Sequence, residues 1–346
     1  MKTLAAILEK TGKPLKMEEL SIPELKQGQV LVKIKFTGLC RSQLNEISGL
    51  KGADRYLPHT LGHEGSGIVL QTGPAVTKVK SGDHVVLTWI KGRGLDGPGA
   101  LYKAENGSTV NSGAISTFLT IAVISENRLV KIQPELPLLE ASLLGCAVPT
   151  GAGIVFNNAQ VKKNSTAAIF GLGGIGHAAL LACKIAGAST IIAVDKMKMK
   201  LRQSLLSGAT HIINTTEDDE LKAIQSITGG QGVDYAIECS GVKTLMENAF
   251  KSVKDGGGLC IIAGNLPCDE EISINPFDLI KGKRITGTWG GETDPDRDIP
   301  YYGKLFAEGT LDLKTMISPL YDFYDINLAL ADLEQGKVLR AIVEMP

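Results

Sequence analysis

The sequence predicts an α/β protein in two domains: a partly open β-barrel, and a doubly wound parallel sheet inserted into it. Three observations predict this. A glycine turn, Phe170-Gly-Leu-Gly-Gly-Ile-Gly176, sits between a strand pattern and a helical pattern. From about residue 148, strand and helix patterns alternate, which implies a parallel sheet. Residues 1 to about 147 instead carry short alternating apolar runs punctuated by Gly and Pro. The expected boundaries are 1–147 with 289–346 for the barrel domain and 148–288 for the sheet domain.

In the first domain the strand candidates are Gln29–Lys35, Gly67–Gln71, His84–Trp89 and Phe118–Val123. Between Lys91 and Gly113 the chain is rich in Gly, Asn and Ser and shows no period. It reads as a surface excursion near an active cleft, or the remnant of one. In the second domain, strands are expected at 166–170, 190–194, 233–238, 258–263 and 284–287. Helices are expected at 174–187, 198–207, 218–228 and 243–253. Gly256-Gly-Gly258 reads as a helix-to-strand turn. After about 288 the alternation stops, and one amphipathic helix, Ile326–Glu334, marks a return to the first domain.

The glycine turn carries the first chemical signal. Strand, G-x-G-x-x-G, helix, strand and acid is the dinucleotide-binding plan. Gly171 permits the sharp turn, Gly173 lets backbone approach a pyrophosphate, and Gly176 lets helix and strand pack closely. The following N–H groups, from Gly174 on, face the phosphates. Asp195 lies 19 residues beyond Gly176, where a carboxylate hydrogen-bonds a ribose 2′-OH and repels a 2′-phosphate. That favours NAD over NADP. Lys196, Lys198 and Lys200 read as a solvated helix start.

Composition narrows the classes. The chain has 346 residues, is 43% hydrophobic and 21% charged, and so can build large cores. A net charge of −1 argues against nucleic-acid or anionic-membrane partners. The N-terminal apolar run is too short for a signal peptide, and no run reaches the length of a membrane span. The cysteines, at 40, 146, 183, 239, 260 and 268, are scattered. They read as reduced thiols of a cytosolic protein, open to metal binding.

Cys40, His63 and Cys146 have side chains suited to zinc. Taken singly, each has an ordinary reading as a buried small residue or a capping histidine. They lie 23 and 83 residues apart, too far for spacing to join them. The motifs Gly38-Leu-Cys-Arg-Ser42, Gly62-His-Glu64, Gly82-Asp-His-Val85, Gly145-Cys146, Thr150-Gly151, Gly171–Gly176, Asp195 and Gly336-Lys-Val-Leu-Arg340 run in order through the chain. By them the chain resembles the zinc-dependent medium-chain dehydrogenase/reductase superfamily, close to the alcohol dehydrogenases. The resemblance implies a GroES-like β-barrel catalytic domain and a Rossmann domain. It makes Cys40, His63 and Cys146 the ligands of one catalytic zinc, the Cys₂His set known from alcohol dehydrogenase.

The same resemblance implies the other roles. Glu64 lies behind the metal, and Ser42 contacts the substrate oxygen and begins a proton relay. Arg41 and Arg340 reach the cofactor pyrophosphate, where forked guanidinium donors suit phosphate. Thr150 and Ile175 line the nicotinamide, Asp195 takes the ribose hydroxyls, and Lys200 sits beside them. Trp89, Phe118, Asn265, Leu266, Thr288 and Trp289 fall near the substrate pocket. A homodimer or homotetramer acting on a small alcohol or carbonyl compound, a polyol among them, is implied.

Three departures from the family stand out. The acid usually found three positions after the first zinc cysteine is Gln43, which is expected to accept from the zinc-bound imidazole without adding charge. The relay histidine five positions after it is Asn45, so the relay ends at Ser42 or uses Glu46, His59 or water. No cysteine occurs in residues 90–116, where the family's structural zinc is held, so one zinc per subunit is expected. The competing readings are a zinc-free NADPH-dependent quinone or enone reductase of the same superfamily, and a non-catalytic dinucleotide-binding protein.

Overall fold

The computed structural model describes residues 1–267 and 269–346; Cys268 lies outside the described residues. The chain divides into two compact units, residues 1–146, 294–308 and 317–346 in the first and 147–293 with 309–316 in the second.

In the first unit five strands close a ring, in the order Lys2–Leu8, Lys16–Ser21, Leu101–Ala104, Thr109–Asn111 and His59–Thr60. A seven-stranded sheet accompanies it. Its path is Leu129–Lys131, His84–Thr88, Glu64–Thr72, Gln29–Gly38, Arg340–Glu344 and Ile317–Asp322, with Ile121–Ser125 also pairing with Gln29–Gly38. Alternation drives the central strand: Val30, Val32 and Ile34 are fully buried, while Lys33 and Lys35 turn outward. Ile7, Leu20, Val32, Phe118, Leu119 and Val343 belong to one core cluster.

The excursion expected at Lys91–Gly113 is not featureless. It holds the hairpin Leu101–Ala104 and Thr109–Asn111, turned through Gly107 at φ 82°. These two short strands complete the ring. Their pattern was hidden because only Tyr102, Ala104 and Val110 point inward.

The second unit is a six-stranded sheet in the order 211–214, 190–195, 166–170, 235–238, 259–262 and 284–287, every neighbouring pair parallel. In chain order this is 3-2-1-4-5-6, the doubly wound arrangement that binds dinucleotides. Helices Gly174–Ala186, Lys198–Ser207, Glu220–Ile227 and Lys243–Ser252 connect its strands. Ala168, Phe170, Ile192, Val194, Phe250 and Cys260 form its core. Gly256 and Gly257 make a turn at positive φ before the strand Leu259–Ile262, as expected. The helix Ile326–Glu334 packs on the strand Arg340–Glu344 in the first unit. Among the described residues no single helix is long and apolar enough to cross a membrane.

Candidate metal centre and cofactor turn

The first unit brings Cys40, His63 and Cys146 together: their ligating atoms all lie within 4.8 Å of one another. Strand pairing explains the first two. Thr37 pairs with Gly65 in antiparallel register. The chain just past the first and just before the second must therefore meet, and those positions are Cys40 and His63. Cys146 ends the short helical turn Ser142–Gly145. A Cβ at Gly145 would lie 2.2 Å from the Leu87 carbonyl and 2.7 Å from Glu64 Cβ, so only glycine lets this turn approach the strands.

Both thiols are buried, at 8% and 4% exposure, while His63 is partly exposed. The hydrogen bond from Cys146 pulls the Cys40 thiol well below its usual range, with the Arg340 charge assisting against the cost of burial. The same hydrogen bond and burial push Cys146 up. Two sulfurs and an imidazole nitrogen within 4.8 Å of one another match the donor chemistry of zinc.

Glu64 is fully buried, and its Oε1 accepts from Arg340 Nε at 2.6 Å and also from Arg340 Nη2. A Cβ at Gly38 would fall 2.0 Å from Glu64 Oε1, so Gly38 makes room for this carboxylate. Burial raises the Glu64 carboxyl, and the opposing charge of Arg340 returns part of the shift. Burial alone would lower Arg340; the charges of Glu64 and Cys40 overcome it and hold the guanidinium above its usual value. Arg340, expected at the cofactor pyrophosphate, is 3% exposed and sits against the thiol cluster.

Gln43 is 1% exposed and caps its own helix, Arg41–Ile47. Its Oε1 accepts from the Cys40 N–H at 2.6 Å, and its Nε2 faces His63 Nδ1 at 2.7 Å. This corrects the expectation that Gln43 accepts from the imidazole: its oxygen is directed at the Cys40 N–H, and its NH₂ group, a donor, faces the ring. Ser42 and Asn45 lie part-buried on the same helix, and Arg41 is exposed.

In the second unit the glycine turn has the expected geometry. Gly171 has φ 87°, and a Cβ there would be 2.7 Å from Ser240 N. A Cβ on Gly173 would meet nothing within 4 Å, leaving open space where a ligand backbone can approach. At Gly176 it would lie 1.9 Å from the Gly171 carbonyl. Gly174 begins the helix Gly174–Ala186. Asp195 ends its strand 8% exposed; Oδ2 accepts from Leu172 N–H at 2.7 Å and Oδ1 from Met197 N–H at 2.9 Å. Lys200 follows on the helix Lys198–Ser207. Thr150 is 5% exposed with Oγ1 unpartnered, and a Cβ at neighbouring Gly151 would lie 2.2 Å from the Ile175 carbonyl. Thr150 and Ile175 therefore lie on helices in tight contact.

The expected substrate residues are scattered in kind. Phe118 is fully buried in the barrel core, beside the place a Gly62 Cβ would occupy, so it is a core residue and not a pocket wall. Trp89 is part-buried, with its carbonyl bonded by Arg128. Thr288 Oγ1 donates to Asn158 Oδ1 at 2.7 Å. Trp289 is 75% exposed; Asn265 is exposed and Leu266 part-buried. Cys40, Cys146, Cys183, Cys239 and Cys260 are free thiols. Sequence reasoning missed the Arg340–Glu64 pair, whose partners stand 276 residues apart.

Comparison with known proteins identifies the family. Residues 26–134 match the alcohol dehydrogenase GroES-like domain, and residues 174–308 match the zinc-binding dehydrogenase family. The chain is 33% identical to S-(hydroxymethyl)glutathione dehydrogenase of Synechocystis sp., over 99% of this chain and all of that one. It is 31% identical to alcohol dehydrogenase class-3 of Cereibacter sphaeroides, with the same coverage. Among solved structures, benzyl alcohol dehydrogenase from Acinetobacter calcoaceticus superposes with a TM-score of 0.91 at 31% identity over all of both chains.

Proposed function

Since the chain belongs to the zinc-dependent medium-chain dehydrogenase/reductase superfamily and is an alcohol dehydrogenase-like oxidoreductase acting on CH–OH groups, we propose that it is NAD-linked and holds one thiolate-bound zinc. The observation that carries this reading is the convergence of Cys40, His63 and Cys146 within 4.8 Å. Relatives named for S-(hydroxymethyl)glutathione and benzyl alcohol support a primary alcohol and its aldehyde as the substrate pair.

When bound, zinc and the nicotinamide supply Lewis-acid polarisation of the substrate oxygen and the hydride-accepting carbon. The protein's share is positioning and charge. Cys40 and Cys146 hold the metal as thiolates, and His63 supplies the third ligand. Glu64 is kept in place by Arg340, which balances the charge of the thiols. Ser42, two residues from Cys40, holds the substrate hydroxyl and passes its proton outward. Gly171, Gly173 and Gly176 admit the pyrophosphate, Arg41 contacts it, and Asp195 takes the adenosine ribose. Thr150 and Ile175 support the nicotinamide. We assign the protein to the cytoplasm as a homodimer or homotetramer, on the strength of the family and of the free thiols.

The test is a panel of benzyl alcohol, S-(hydroxymethyl)glutathione, short alcohols and polyols followed at the nicotinamide absorbance. Expected are NAD-dependent turnover, one zinc per chain lost with Cys40→Ser, and a fall in kcat/KM of about a thousandfold, or ~4 kcal/mol. Turnover that survives Cys40→Ser overturns the reading. The donor cluster also speaks against a zinc-free quinone or enone reductase.

A further inference from the structure

Residues 288–293, which follow the last strand of the six-stranded sheet, are held more tightly than a surface turn requires. Three in a row, Gly290, Gly291 and Glu292, have positive φ of 61°, 71° and 49°. Glu292 carries a side chain, so its contacts must offset the strain of that conformation. Those contacts come from one stretch of chain. The helix Ala147–Gly153 widens into a π turn over Ile154–Asn158, a form frequent at functional sites. Asn158 Oδ1 accepts from Thr288 Oγ1 at 2.7 Å, and Thr288 Oγ1 in turn accepts from the Gly291 N–H at 3.1 Å. Asn157 Nδ2 donates to the Gly291 carbonyl at 3.0 Å, and Thr293 Oγ1 to the Pro149 carbonyl at 2.9 Å.

Packing is as close as the bonding. A Cβ at Gly291 would lie 2.6 Å from the carbonyls of Pro149 and Thr150, and one at Gly153 would lie 2.3 Å from the Gly291 carbonyl. Loop and helix therefore have one spacing, and it fixes two groups. Trp289, 75% exposed, is presented on the locked turn. Thr150 is 5% exposed, and its Oγ1 has no hydrogen-bond partner. A buried hydroxyl left in that state points to a ligand that completes it.

The fold decides which part of a dinucleotide comes here. Such a sheet has two mononucleotide halves. Asp195 belongs to the half made of strands 166–170, 190–195 and 211–214, and it stands where the adenosine ribose is taken. The nicotinamide nucleotide then falls to the other half. That half ends in the strand Arg284–Gly287, which runs on into residues 288–293.

We propose that Asn157 and Asn158 are positioning residues for the nicotinamide end of the cofactor. They act through Thr288 and Gly291, keeping residues 288–293 at a fixed distance from Thr150 before the cofactor arrives. Ordering the loop in advance removes an entropic cost from binding. This role rests on the NAD-linked activity proposed for the chain.

The experiment measures NADH and ADP-ribose affinities by titration calorimetry, on the zinc-loaded parent and three variants. ADP-ribose lacks the nicotinamide, so its affinity reports the glycine turn and Asp195 and shows that the sheet domain is folded. The parent is expected to bind NADH more tightly than ADP-ribose. Asn157→Ala and Asn158→Ala should each weaken NADH by about 3–10-fold and leave ADP-ribose unchanged. Asn158→Asp keeps an acceptor oxygen for Thr288 and should hold the parent affinity for NADH. Equal weakening of both ligands marks a merely structural role and overturns the proposal. So does parent NADH affinity in both alanine variants, or a loss in Asn158→Asp that matches Asn158→Ala. A parent that binds neither ligand overturns the NAD-linked activity itself, and the proposal with it.

Discussion

Gln43 Nε2 stands 2.7 Å from His63 Nδ1, while the same side chain's Oε1 is held by the Cys40 N–H at 2.6 Å. The amide oxygen is aimed at the Cys40 N–H, so the group it presents to the imidazole is its NH₂, a donor. Nδ1 therefore faces a donor, which places the ring hydrogen on Nε2. For Nε2 to bind a metal, Nδ1 must carry the hydrogen and needs an acceptor. In this orientation Gln43 offers the ring only its NH₂, whereas a carboxylate offers an oxygen to each group.

Gln43→Glu is therefore expected to tighten zinc binding by about 10–100-fold. Competition with a chromophoric chelator measures it on unreacted protein. An affinity equal to that of the parent would show that the amide is no handicap.

The buried pair Glu64–Arg340 gives a different prediction. Removing one partner strands a charge in the core, at a cost of about 3–5 kcal/mol. Arg340→Met and Glu64→Gln should each lower the melting temperature clearly. The double variant, with neither charge, should recover much of the loss. Calorimetry of the four proteins checks this, and strictly additive losses would contradict it.

His177 sets a limit in acid. It is fully buried, Nε2 lies 2.8 Å from Ser207 Oγ, and Nδ1 has no partner. Burial lowers its pKa to about 4, with Asp312 opposing slightly. In the unfolded chain it titrates near 6.5. Between these values the unfolded chain binds the extra proton, so stability falls as pH drops from about 6.5 to 4, by up to ~3 kcal/mol. Above about 6.5 the group contributes no slope. His177→Gln should flatten this part of the curve in urea unfolding at stepped pH; an unchanged slope would place the acid sensitivity elsewhere.

How far the chain could be read in advance depended on the range of the signal. The helix Gly174–Ala186 and the strand Thr190–Asp195 are legible because their apolar pattern and flanking glycines are local. The hairpin closing the ring was not, since its strands of four and three residues sit in a stretch dominated by Gly, Asn and Ser. Cys40 and His63 meet through the register of two paired strands, and Cys146 through packing of a turn that Gly145 allows. No spacing rule carries such information, so the ligand set was legible only by resemblance. Arg340 illustrates the same limit. Nothing in the sequence pairs it with Glu64; the room left by Gly38 and the resulting bond appear only in the fold. The return of residues 309–316 to the second unit likewise leaves no mark in composition.

Asp195 does two jobs, and separating them gives the last prediction. Its oxygens hold the N–H groups of Leu172 and Met197, which fixes the glycine turn to the end of the neighbouring strand. Its charge is also proposed to repel a 2′-phosphate, a repulsion of about 1–3 kcal/mol at short range. Asp195→Asn keeps the shape and one acceptor but removes the charge. The ratio of kcat/KM for NADP to that for NAD should therefore rise about 10–100-fold, mostly through a lower KM for NADP. The loss of one acceptor should weaken both cofactors alike and leave the ratio untouched. An unchanged ratio with weaker binding of both would mean that Asp195 shapes the turn and does not choose the cofactor.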